Sequence, residues 1–416
     1  MPLSSIALSF VLAAQAGPLP ARSRPIPSQL QAQLLYSAAL AGDWLVNNQE
    51  KRTLGNQPFN GDYGRWLYEY KPKEGTWRGS VCWTTGTGIM ALSLLDQRFG
   101  SPRYKDAMKR ASRYLKSLQI LDSRNGLTYG ALREMDQLSD FIFPRDGATG
   151  ALGGYLALYR VTGEKDYLER AGLFANWFLK NAINPSTNWP YWSVPLDGTP
   201  ADTSDRRTAP FQAGSGLFFY HLYKVTGKRI YFDKGVIPLA EGLLANVGRE
   251  NNITTFYSTG GLSQTKANND DFASLTLLAA YRETGDKRYW DVAARRLDYL
   301  MGIQRENGSL VPGNTAGLYV SGLTALDALE LAAEKGLEMD RERVETFIRR
   351  CAEYGATFQE TRPDDVKAFG GFYGQINLQE FRREWIHARP TNYSVIFNLR
   401  YEGTIKVPYY SIFGWD

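Results

Sequence analysis

Four aspartates stand at or just ahead of segments rich in Gly, Ala and Ser. Asp146 lies in Phe143-Pro-Arg-Asp-Gly147, Asp270 and Asp271 lie in Ala267-Asn-Asn-Asp-Asp-Phe272, and Asp205 precedes Phe211-Gln-Ala-Gly-Ser-Gly216. An aspartate at a helix start caps the helix, and the positive helix end keeps it ionised. If several such helices converge on one axis, their carboxylates instead face one cavity. Glycoside chemistry uses such a pair, one group as acid and one as base or nucleophile. A general acid must hold its proton near neutral pH, so burial or a second carboxylate would have to oppose the helix. On this reading Asp146 is the general acid/base, and Asp270 or Asp271 assists.

Aromatic rings and guanidinium groups interleave with acids in the long connections. One carries Arg65, Trp66, Tyr68, Glu69, Tyr70, Glu74, Trp77 and Arg78. Another carries Trp189, Tyr191, Trp192, Asp197, Asp202, Asp205, Arg206 and Arg207. A pyranose has apolar C–H faces that stack on rings and a hydroxyl rim that needs charged or amide partners. Trp77, Trp189, Tyr191 and Trp192 are therefore expected to stack sugar rings. A protein-binding surface enriches the same residue types, but a concave mouth favours a saccharide. Arg145, Asp205, Arg206, Gln212, Tyr257 and Tyr373 join the expected contact set. A further wall is Phe369-Gly-Gly-Phe-Tyr-Gly-Gln375, followed by Arg382, Arg383, Trp385, His387 and Arg389. Its arginines would grip a substrate carboxylate or pair with Glu380 and Glu384.

These residues need a scaffold, and the chain announces one by repetition. Tyr159-Arg-Val-Thr-Gly163, Tyr223-Lys-Val-Thr-Gly227 and Tyr281-Arg-Glu-Thr-Gly285 each close an apolar, small-residue helix. Each is followed by a Tyr (Tyr167, Tyr231, Tyr289) that opens a charged, amphipathic helix. Asp96-Gln-Arg-Phe-Gly100 with Tyr104 is a degenerate earlier copy. Such a period is one helical hairpin plus one long loop. Apolar helices are expected to begin near Trp83, Gly147, Gly214, Asp271, Ala316 and Thr391. Amphipathic ones follow near Pro102, Glu164, Lys228, Asp286 and Met339, and a first one spans Ser28 to Asn48. Small residues suit an inner ring buried all round, and charged ones an outer ring with one wet face. Six hairpins close into an all-α (α/α)6 toroid. The Gly of each phrase ends its helix in the left-handed conformation. Long returns at 49–82, 121–146, 183–213, 248–270, 304–315 and 361–390 meet at the opposite end, and loops this long are usually functional.

With 416 residues, 43% hydrophobic and 22% charged, the chain has ample core for one such domain, residues 28–416. The net charge of +5 is spread without Lys/Arg runs, which argues against nucleic acid and suits an acidic substrate. Two histidines, His221 and His387, nearly exclude a histidine-cluster mechanism. Cys82 and Cys351 have no metal-ligand neighbours at close spacing and read as buried small hydrophobes. Residues 1–16, ending Ala14-Gln-Ala16, read as a signal peptide without a positive n-region, and 17–27 as a linker. This implies a secreted or periplasmic protein. No other stretch reads as a membrane span.

With these residues placed, roughly residues 80–300 resemble the six-hairpin glycosidases, nearest to the unsaturated uronyl hydrolases of glycoside hydrolase families 88 and 105. The likeness rests on Arg145-Asp146-Gly147, Phe211-Gln-Ala-Gly-Ser-Gly216 and Asp270-Asp-Phe-Ala-Ser274, each opening an inner helix. It implies that Asp146 protonates a C4=C5 double bond so that water adds at C5, without metal or organic cofactor. The chain departs from those families at Thr84-Thr85-Gly86, where their pattern has an Asp-Thr-Gly. It also lacks the Arg and Trp of their signature around Gln212-Ala-Gly-Ser-Gly216. The leading expectation is a hydrolase of uronic-acid-containing oligosaccharides. A lyase or uronate epimerase would instead use Tyr191, Tyr257, Tyr373, His387 and Arg389 around an abstracted C5 proton. A third reading is a glycan-binding toroid without catalysis.

Overall fold

The computed structural model describes residues 26–51, 63–134, 140–205, 210–245, 247, 257–258, 261–262, 271–310, 314–374 and 383–415. The expected leader 1–16, most of the linker 17–27, Arg206 and Asp270 lie outside the described residues. So do the side chains of Asp271 and Tyr257.

Among the described residues, helices alternate between an outer and an inner ring. The outer α1 (Ser28–Asn48) comes first. Hairpins follow, inner helix then outer: α2 (Cys82–Phe99) with α3 (Pro102–Leu118), then α4 (Pro144–Ala151) and α5 (Ala157–Thr162) with α6 (Lys165–Asn181). Next are α7 (Pro210–Ala213) and α8 (Ser215–Thr226) with α9 (Arg229–Tyr231) and α10 (Ile237–Ala245). The last hairpins pair α11 (Asp271–Thr284) with α12 (Lys287–Ile303), and α13 (Thr315–Lys335) with α14 (Arg341–Ala356). Inner α15 (Ala388–Glu402) packs on α13, α1 and α2 and closes the ring. π-turns at Leu152–Leu156 and Phe232–Val236 make α4–α5 and α9–α10 continuous helices.

The two rings follow from composition. Every residue of α2 from Thr84 to Leu95 is buried, whereas α3 buries one stripe, including Tyr104, Met108, Ala111 and Leu115. Small residues let the inner helices meet backbone to backbone. A Cβ on Gly86 would lie 2.7 Å from the carbonyl oxygen of Gly150, so α2 and α4 cross at their glycines. Cys82 and Cys351 are free and buried. The expectation about membrane spans needs one correction. Thr315–Lys335 is long and apolar enough to cross a bilayer by length and composition. It is an inner-ring helix, and the barrel buries most of it.

At the short-turn end the Tyr–Thr-Gly phrase is a capping module. The Thr162 hydroxyl donates to the Leu158 carbonyl (2.8 Å) and accepts from the Glu164 amide (3.1 Å). The Gly163 amide donates to the Tyr159 carbonyl at 2.8 Å, with φ at +71°. Thr226 and Thr284 repeat the hydroxyl pattern on Leu222 and Ala280.

At the loop end a second repeat appears that the spacing of residue types does not reveal. Gln49, Gln119, Gln304 and Gln359 each follow an outer helix. Each side-chain amide donates to a loop glycine carbonyl and to a carbonyl of the next outer helix. Gln119 reaches Gly130 and Arg170, Gln49 reaches Gly64 and Ala107, and Gln304 reaches Gly308 and Phe347. Gln359 reaches Gly370 and Ser37 of α1, across the closure of the ring. A four-stranded antiparallel sheet joins the first and last long loops, in the order Thr76–Ser80, Leu67–Lys71, Trp385–His387, Phe372–Gly374.

Beyond α15 the chain turns back into the short-turn end of the inner ring. The Arg282 guanidinium donates to the Ile412 carbonyl (2.8 Å), and Arg160 donates to that of Gly414 (2.7 Å).

Candidate active site

Asp146 stands in the first turn of α4, with Phe143 at the cap position and Pro144 opening the helix. It is therefore not the cap. It is 4% exposed, pairs with the Arg145 guanidinium and lines a partly open cavity of about 110 Å³. Helix starts supply the other walls: Trp83 from α2, Phe272 from α11, and Arg389 with Tyr393 from α15. Tyr410 of the C-terminal segment closes the set.

A second carboxyl group reaches Asp146 from a loop. Glu134 hydrogen-bonds Asp146, and its carboxyl is pushed up to about 9. Burial is the main cause, then the charge and hydrogen bond of Asp146, while Arg145 works the other way. Two carboxyl groups in contact cannot both ionise cheaply, so near neutrality the pair holds a proton between them.

The opposite wall is aromatic and cationic. The Arg389 guanidinium lies 5.6 Å from the Trp83 ring and 5.8 Å from the Tyr393 ring, within cation–π reach. Burial acts to lower its pKa, but the hydroxyls of Tyr393 and Tyr68 outweigh it and hold it above the ordinary value. Burial raises the Tyr68 hydroxyl, against the pull of Arg389. The Tyr68 ring packs edge-on against Trp83 and His387, both at 5.4 Å.

Of the expected contact residues, Arg145, Asp146 and Arg389 line this cavity. Others serve the loops. Trp189 is 4% exposed and its indole N–H donates to Gln212 Oε1 at 3.2 Å, so its ring packs inside the protein and does not face the cavity. Gln212 Nε2 donates to the Pro190 carbonyl at 2.8 Å, bracing the same loop. Tyr191 is buried, and burial, then Asp202 and Asp205, raises its hydroxyl. Trp192 is half-buried on that connection. Asp205 accepts from Asn184 Nδ2 through its backbone carbonyl at 2.8 Å. Trp77 packs on Tyr70 of the neighbouring strand (4.7 Å) and on Trp44 of α1 (6.1 Å). The Tyr373 hydroxyl donates to Glu360 at 2.8 Å. His387 is buried behind Tyr68, its Nδ1 3.6 Å from Glu69 Oε1, too long for a hydrogen bond.

No protein-family model matches the chain, and no curated protein matches it. Solved structures do. An unsaturated glucuronyl hydrolase specific for heparin superposes with a TM-score of 0.64 at 15% identity, over 89% of this chain and 97% of that one. Cellobiose 2-epimerase from Bacillus thermoamylovorans B4167 gives 0.67 at 14% identity, over 90% and 100%. The unsaturated glucuronyl hydrolase of Bacillus sp. GL1 gives 0.64 at 13%, over 92% and 100%. The chain has the six-hairpin toroid fold of these enzymes. At such identities the likeness speaks for architecture, and the chemistry rests on the site itself.

Proposed function

We propose that this protein is a carbohydrate-active enzyme, a glycoside hydrolase acting on oligosaccharides that carry a uronic acid. The observation that carries the reading is the placement of buried Asp146, in the first turn of an inner helix and paired with Arg145, at a cavity walled by rings and guanidinium groups. Asp146 donates the shared proton to C4 of a 4,5-unsaturated uronyl ring, and a water oxygen bonds to C5. The proton that water gives up returns to the pair, so the step is a net addition of water. Arg389 and Arg145 favour the substrate carboxylate, and Trp83 offers a face to the sugar ring. The solved hydrolases with this fold support the same substrate class.

The test is loss of the ultraviolet absorbance of an unsaturated uronyl disaccharide. Wild type should consume it. Asp146→Asn should slow consumption by about a hundredfold or more without lowering the melting temperature. A fully active Asp146→Asn protein overturns the assignment. A gain of that absorbance from a saturated polymer would instead indicate the lyase. Among the residues named for lyase or epimerase chemistry, Arg389 lines the cavity while Tyr373 and His387 are engaged elsewhere. Binding of the disaccharide with no product would favour the glycan-binding toroid. We infer export from the signal-like pattern of residues 1–16, and sequencing the N-terminus of the mature protein tests it.

A further inference from the structure

A ring of inner helices has two ends, and in this protein one of them is filled by the chain itself. Residues 404–415 enter the short-turn end, and the Tyr410 ring reaches along the axis to the cavity. It lies 4.7 Å from Phe272 and 5.2 Å from Tyr393, two other lining residues. We propose that this segment is a plug that sets the depth of the site, that Tyr410 is the residue meeting the deepest part of the bound sugar, and that Asp327 is the positioning residue that holds it there. The proposal rests on the saccharide reading of the cavity.

The anchoring is specific. Asp327 lies midway along α13 and is fully buried. Its carboxylate accepts from the Ser411 hydroxyl (2.7 Å), the Ile412 amide (2.6 Å) and the Arg400 guanidinium (3.0 Å). On the other side of Tyr410, the Tyr409 hydroxyl accepts from Ser93 of α2 at 3.1 Å. Tyr410 is thus bracketed by residues tied to two inner helices. Its φ of +50° is a left-handed conformation that a bulky residue adopts at a cost. The bracket over-determines that conformation, which turns the ring inward. Replacing the carboxylate by an amide would set an NH2 group against donors, so the bracket depends on a carboxylate at position 327.

The test compares Tyr410→Ala, Asp327→Asn and the double variant in the full chain, with an unsaturated uronyl disaccharide as the probe. Tyr410→Ala should raise KM about tenfold and leave kcat within about threefold. Asp327→Asn should share the KM defect, and the double variant should be no worse than Tyr410→Ala, because one residue acts through the other. Additive KM effects overturn the proposal. In parallel, hydrogen exchange at the Ile412 amide should accelerate about tenfold in Asp327→Asn while α2 and α8 keep their protection. Unchanged exchange overturns the anchoring role whether or not sugar is turned over. If Asp327→Asn does not fold, Ser411→Ala, which removes one of the three bonds, is read in the same way. A wild type that ignores the disaccharide refutes the functional reading, and the exchange measurement then decides the plug by itself.

Discussion

The carbonyl oxygen of Glu134 accepts a hydrogen bond from the amide of Cys82 at 2.6 Å. That bond ties the loop carrying Glu134 to the first residue of α2 and leaves its side chain against Asp146 of α4. The proton-holding pair is therefore assembled across two inner helices by one loop.

The first prediction concerns pH. Glu134 is raised from 4.5 to about 9 in the folded protein. The raised group favours the folded state fully below pH 4.5, and this contribution is lost as pH rises towards 9. Glu134→Gln should flatten the dependence of melting temperature on pH across that window. Asp146→Asn should bring the Glu134 titration down, though not to 4.5, since burial remains. Carboxyl-resolved NMR titration of the two variants would check both expectations.

Two tryptophans should behave oppositely. Trp83 is half-exposed on the cavity wall and Trp189 is enclosed. Trp83→Ala should weaken disaccharide binding with little change in melting temperature. Trp189→Ala should cost about 3–5 kcal/mol of stability, as emptying a core site does. Denaturant titration and calorimetric binding separate the two.

The capping glycines offer a clean backbone measurement. Gly163 has φ at +71°, and a Cβ there would find nothing within 4 Å, so an alanine meets no clash. Gly163→Ala should destabilise by about 1–2 kcal/mol through conformation alone. Activity at 25 °C should stay as in wild type, since this turn lies at the far end from Asp146. Urea unfolding together with turnover tests it.

His221 should make the fold acid-sensitive. It is fully buried with its ring 5.7 Å from that of Trp415, and burial drives its pKa from 6.5 down to about 3. The stability gained by keeping it neutral is complete above 6.5 and is lost as pH falls towards 3. His221→Phe should narrow the gap between melting temperatures at pH 7 and pH 4. An unchanged gap would remove His221 from the account.

Much of the scaffold was legible because its signals are local. A Thr that bonds four residues back and a Gly at positive φ sit next to each other in the chain, so the phrase could be read directly. The sequence places Asp146 just ahead of a helix near Gly147, whereas Pro144 opens that helix and puts Asp146 in its first turn. Glu134 was not legible. It lies in a loop without periodicity, twelve residues before its partner, and the contact depends on how that loop folds over α2. The loop also carries Asp136 and Asp140, so residue type alone does not single Glu134 out. Tyr410 is placed by Asp327, 83 residues earlier, a distance no spacing argument spans. The rings expected to stack sugars included Trp189 and Trp77, and composition does not reveal their packing on residues distant in the chain.

The glutamines at the ends of the outer helices have a mechanical consequence. Each fastens one loop to its own helix and to the next helix around the circumference, and Gln359 carries the fastening across to α1. Among the described residues these ties run from α12 through α14, α1 and α3 to α6, so that arc of the rim is laced together. Along that arc a push on one loop is passed sideways to the next outer helix, so the mouth resists splaying there.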